Sequence, residues 1–82
     1  MSNLDALKIE SMENDILSHI DDRNVHQGIL NMCNDMVEED PSLKYTILGG
    51  IILSHKECIN ECNITIQYLQ EELKNLKKRV DY

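Results

Sequence analysis

The sequence predicts an all-α protein: a short helical hairpin packed on a long third helix whose C-terminal half forms a coiled coil, assembled as a dimeric helical bundle. Three observations predict it. From Tyr45 to Val80 one residue in every three or four falls on a single seam, with Tyr45, Ile52, Ile59, Ile66, Leu73 and Val80 at heptad positions a and Leu48, His55, Cys62, Leu69 and Leu76 at positions d. β-Branched Ile at a with Leu at d describes a helix built to lie against another helix. The chain also has three Tyr and neither Phe nor Trp, so its apolar volume must come from Ile, Leu, Met and Val, which suits helix packing rather than a β-sandwich or an aromatic pocket. The third observation is the pair of boundaries that the pattern implies before Pro41, which divide residues 1–82 of a single domain into helices near 3–20, 24–38 and 41–80.

Helix 1 starts at Ser2 or Asn3 as N-cap, with Asp5 in the first turn complementing the helix dipole. Its stripe is Ile9, Met12, Ile16 and Ile20 at spacings of three and four. Asp21-Asp22-Arg23-Asn24 contains neither Gly nor Pro, so the phase of the pattern has to place the boundary. Helix 2 would bury Val25, Ile29, Met32, Cys33 and Met36, a face turned nearly half a revolution from the first at about 100° per residue. A turn over 21–24, with Asn24 capping helix 2, resolves that conflict. Pro41 behind Asp40 then marks the start of helix 3, because its missing N–H costs nothing at the first helical position.

Early helix 3 is apolar over much of its circumference (Tyr45, Ile47, Leu48, Ile51, Ile52, Leu53), so helices 1 and 2 are expected to cover it. Gly49-Gly50 weakens the helix by up to about 1 kcal/mol per Gly and permits close backbone approach or a kink. After Cys58 the apolar surface narrows to a stripe that calls for a helix from another chain. The expected interface is Ile52, His55, Ile59, Cys62, Ile66, Leu69, Leu73, Leu76 and Val80, with a parallel dimer favoured by Ile at a and Leu at d and Glu72 at g placed to pair with Lys77 at e. Antiparallel and four-helix arrangements stay open.

A chain of 82 residues buries only roughly 60 to 65% of the surface that its unfolded form exposes, so a monomer would be marginal. Charge is uneven: residues 1–40 carry ten acids against Lys8 and Arg23, a net of −8, and residues 41–82 carry five acids against six bases, a net of +1. Lys74, Lys77, Lys78 and Arg79 suit a helix C-terminus and lack the interleaved aromatics of a nucleic-acid surface. No stretch is long and apolar enough to span a membrane, and the N-terminus lacks the basic-then-apolar layout of a signal peptide. With three cysteines and no export signal, the expected compartment is the cytoplasm.

His55, Cys58 and Cys62 lie at i, i+3 and i+7 on one helical face, yet zinc wants four ligands and only three soft ones appear there. They read as small core residues and a polar, register-setting break in the seam, and no metal or other cofactor is expected. His19, His26 and Cys33 are spaced by seven, but the turn inferred near Asp22 separates the first from the others. No acid or base stands beside a nucleophile, and no Gly-rich phosphate loop is present, so catalysis is not expected. The sequence therefore points to a small acidic non-enzymatic regulator, adaptor or chaperone that binds protein through helices, with itself as first partner in a homodimer. Its rival is an acidic mimic of nucleic-acid charge, of a kind a phage could encode, that blocks a nucleic-acid-binding protein.

Overall fold

The computed structural model of the chain describes residues 2–80 and contains two long helices joined by one tight turn. Helix α1 spans Asn3–Glu39, a 3-10 turn follows at Pro41–Tyr45, and helix α2 spans Ile47–Arg79. The molecule is a rod of 58 × 15 × 14 Å, the length expected of an unbroken helix of 37 residues at 1.5 Å per residue.

Each terminus has a local cause. Ser2 caps α1: its hydroxyl accepts from the Asp5 N–H at 3.1 Å and donates to the Asp5 carboxylate at 2.9 Å, which satisfies one of the free N–H groups of the first turn. At the other end Asp40 takes extended backbone, its N–H donates to the Met36 carbonyl, and its carboxylate accepts from both the N–H and the hydroxyl of Ser42. Pro41 occupies the first position of the 3-10 turn, as its locked φ and missing donor favour. Thr46 then caps α2, accepting from the Leu48 N–H. Lys77, Lys78 and Arg79 close α2, where cations complement the helix dipole.

Gly49 has a steric reason. A Cβ there would lie 2.0 Å from the Lys44 carbonyl oxygen, so the 3-10 turn folds back onto α2 only because this position has no side chain. Gly50 faces open space.

Two expectations need correction. The turn over 21–24 is absent, and α1 runs straight through it. The inward positions of α1 form one heptad seam from end to end, Ile9, Met12, Ile16, His19, Arg23, His26, Leu30, Cys33 and Val37, all buried or half-buried. Polar residues hold three consecutive seam positions, so a reading by hydrophobicity loses the phase there. Of the face assigned to helix 2, Cys33 is buried, whereas Val25, Ile29, Met32 and Met36 are exposed.

The second correction concerns the long helix. Because α1, at 37 residues, is longer than α2, at 33, no half of α2 projects beyond the fold; the two helices lie antiparallel along their lengths. Their register is marked by the Arg23–Asn63 and His26–His55 contacts at mid-rod and by Met12 lying near Leu76 toward the open end. The core is thin: Ile9, Ile16, Leu30, Cys33, Ile66 and Leu76 are the buried apolar residues among those described, and none is below 2% exposure.

Candidate association edge and central polar layer

The seam residues expected to meet another chain all face α1 of the same chain. Ile66 and Leu76 are buried, and Ile52, His55, Ile59, Cys62, Leu69, Leu73 and Val80 are half-buried. His55 shows how a polar residue is accommodated: its Nδ1 lies 2.7 Å from Nδ1 of His26, with ring centroids 4.9 Å apart. Such a contact requires one ring to donate and the other to accept. One turn earlier on α1, the Arg23 guanidinium donates to the Asn63 side-chain oxygen at 3.2 Å. The centre of the rod is thus a polar layer between apolar stretches.

With the seam engaged inside the chain, the apolar groups left over lie elsewhere. On α1 they are Val25 and Met32 at heptad positions c, and Ile29 and Met36 at positions g. On α2 they are Ile47 at c and Ile51 at g. Positions c and g are rotated by about 100° from the centre of an a/d seam, always in the same sense along the chain. In an antiparallel pair, equal offsets in the same sense put both stripes on one side. These six residues therefore form a common edge near the bend, and they are far from covered: Ile47 retains 84% of its surface, Met32 69% and Val25 62%.

That edge continues toward the open end as a hollow of about 260 Å³ lined by His19, His26, Cys58, Glu61, Cys62 and Thr65. Arg23, bonded to Asn63 at position e, turns to the opposite edge. Sequence reading missed the apolar edge because it took Val25, Ile29, Met32 and Met36 for a buried face; the continuous spacing of His19, Arg23 and His26 with the flanking apolar seam was the signal that could have placed them.

The area of the molecule reflects its rod shape. A compact monomer of 9.5 kDa exposes about 5,000 Å² on the scaling of folded proteins, whereas this chain exposes 6047 Å².

Among the described residues, no helix is long and apolar enough to cross a membrane. No protein family, curated protein or solved structure matches the chain.

Proposed function

We propose that this chain is a small non-enzymatic regulator, adaptor or chaperone that acts by helix-mediated protein binding, with a second copy of itself as first partner. The observation that carries this reading is the apolar edge of Val25, Ile29, Met32, Met36, Ile47 and Ile51, set about 90° to 100° from the internal seam. That offset is the one by which each helix of a four-helix bundle meets two neighbours. Two hairpins placed edge to edge about a twofold axis would bury the same residues on both copies, as an isologous contact requires. The expected association thus moves from the seam to the edge, and from a two-stranded parallel coil to a pair of hairpins.

The experiment is the mass of the full chain in solution, by light scattering at low and at high salt. An edge closed by apolar groups keeps the dimer at high salt, since its driving force is burial rather than charge. A monomer at all concentrations would count against this reading. A chain that is monomeric yet captures a basic nucleic-acid-binding protein at low salt and releases it at high salt would instead support the charge-mimic reading.

A further inference from the structure

The apolar edge carries an inference about its partner, which rests on the proposal that this edge is where the chain meets protein. We propose that the edge takes a basic amphipathic helix of a partner protein. The apolar stripe of that helix would lie on Val25, Ile29, Met32, Met36, Ile47 and Ile51, and its lysines or arginines would face a rim of carboxylates.

The rim follows from the same helical arithmetic as the edge. Position f lies about 60° beyond c, on the outer flank of the stripe. Over residues 21–39 of α1 and 47–61 of α2, positions c, f and g hold six acids, Asp21, Asp22, Asp35, Glu39, Glu57 and Glu61, and no Lys, Arg or His. All six are exposed. The bases of this half of the rod lie elsewhere. Lys44 and Lys56 line a hollow with Gly49 and Leu53, which sit at positions e and b on the opposite edge, and Arg23 turns to Asn63 on that edge too. Over the same length the opposite edge is rich in amides, with Asn24, Gln27, Asn31, Asn34 and Asn60. Apolar groups and carboxylates are thus gathered on one side of the hairpin, the complement of a helix whose apolar face is flanked by cations.

The edge suits a helix rather than an extended strand. Both of its elements are α-helices, whose N–H and C=O groups are bonded within the helix, so a strand would find no backbone groups to pair with. From Val25 to Met36 the stripe runs about 16 Å, three turns of a partner helix and enough for anchors one and two turns apart. Met32 and Met36 are unbranched and polarizable, so they adjust to partner side chains of different shape. A second copy brings the same six carboxylates to the contact and like charges oppose its approach, whereas a basic helix meets them with the opposite sign.

The probe is a labelled peptide of leucine and lysine, about 14 residues long with leucine at i, i+3, i+4 and i+7, compared with a counterpart that has glutamate for every lysine. Fluorescence anisotropy is read as the full chain is added. The lysine peptide should bind saturably at one per chain, and the glutamate peptide should not bind. Met32→Asp separates docking on the edge from bare charge attraction. It adds a carboxylate, which would strengthen a purely Coulombic contact, but it removes an apolar residue that is 69% exposed and should weaken binding about tenfold. Val25→Asp gives the same test should Met32→Asp lose its helical circular dichroism. Leu53→Asp makes the same change of charge at an exposed position on the opposite edge and should not weaken binding. Asp35→Asn and Glu57→Gln should each weaken it by up to about fivefold. Light scattering of the chain alone reports self-association separately: a monomer that takes the lysine peptide keeps this inference and loses the dimer, and a dimer that ignores the peptide does the reverse. Equal affinity for the two peptides, no saturable binding, or equal binding by Met32→Asp and Leu53→Asp would overturn the proposal.

Discussion

Replacing Met32 by Asp tests the apolar edge where it is most exposed on α1. The six edge residues together leave the equivalent of about three and a half side chains uncovered per hairpin, and full burial stabilises by about 2 kcal/mol each. Two hairpins would then gain at most about 14 kcal/mol. Association costs on the order of 4 to 15 kcal/mol before any surplus appears. The surplus is at most about 10 kcal/mol, so the dimer is no tighter than tens of nanomolar, and a mid-range cost places it at micromolar or weaker. Met32 is 69% exposed, so each copy loses about 1.4 kcal/mol of burial and the twofold contact doubles the loss, about a hundredfold in Kd. The carboxylate adds its own desolvation cost. Sedimentation velocity over a concentration series spanning the micromolar decade reads this directly, with helical circular dichroism confirming that the hairpin persists. Leu53→Asp is the control, an exposed apolar position away from the edge, and should leave the mass unchanged. Equal association in Met32→Asp and wild type would rule out this edge as the contact.

Three further outcomes follow from the geometry, each measured by chemical or thermal unfolding. Gly49→Ala should destabilise the bend because its Cβ would meet the Lys44 carbonyl at 2.0 Å, whereas Gly28→Ala, in open space within α1, should stabilise by up to about 1 kcal/mol; stabilisation by both would remove the steric account of Gly49. Ile66→Ala removes one of the buried residues of a thin core and should cost at least about 2 kcal/mol, while Ile64→Ala, at an exposed position one turn-half away, should stay within about 0.5 kcal/mol. His26→Leu alone leaves one imidazole of the 2.7 Å pair without its partner and should cost about 1 to 3 kcal/mol, whereas His26→Leu with His55→Leu removes both polar groups and should be close to neutral; an additive double variant would show that the rings are not coupled.

How much of this was legible in the sequence depends on what fills the seam. On α2 the a and d positions are almost entirely Ile, Leu, Val and Cys, and from Leu48 to Val80 they are buried or half-buried, whereas Tyr45, read as the first position of the seam, lies in the 3-10 turn and is exposed. On α1 the same spacing runs through His19, Arg23 and His26, whose side chains carry no hydrophobic signal, while Val25, Ile29, Met32 and Met36 carry a strong one on the wrong face. Periodicity weighs apolarity, so it split one helix into two. The bend was legible because Pro41 and Asp40 act through backbone chemistry. The break at Thr46 was not, because nothing in the sequence reveals that Gly49 must pass against the Lys44 carbonyl. The hollow that His19 and His26 line together was hidden by the same error, since a turn near Asp22 would have parted the two.

The polar layer that misled the reading also explains why this hairpin adopts one register. A seam made only of aliphatic residues repeats every seven positions, so sliding one helix by a heptad, about 10 Å, would exchange one set of apolar contacts for a nearly equivalent set. Arg23 opposite Asn63 and His26 opposite His55 remove that freedom. Slipping α2 by seven residues one way brings Cys62 opposite His26 and leaves a half-buried imidazole without its partner, at a cost of about 1 to 3 kcal/mol; slipping it the other way sets His55 opposite His19 but brings Lys56 in place of Asn63 beside Arg23, which exchanges a hydrogen bond for like-charge repulsion. Apolar contacts along the rod thus supply most of the stability, and the four polar groups at its centre select among the arrangements those contacts would allow. That division matches the use of single polar residues to fix register in coiled coils. It also places the least apolar section of the rod where the hollow opens.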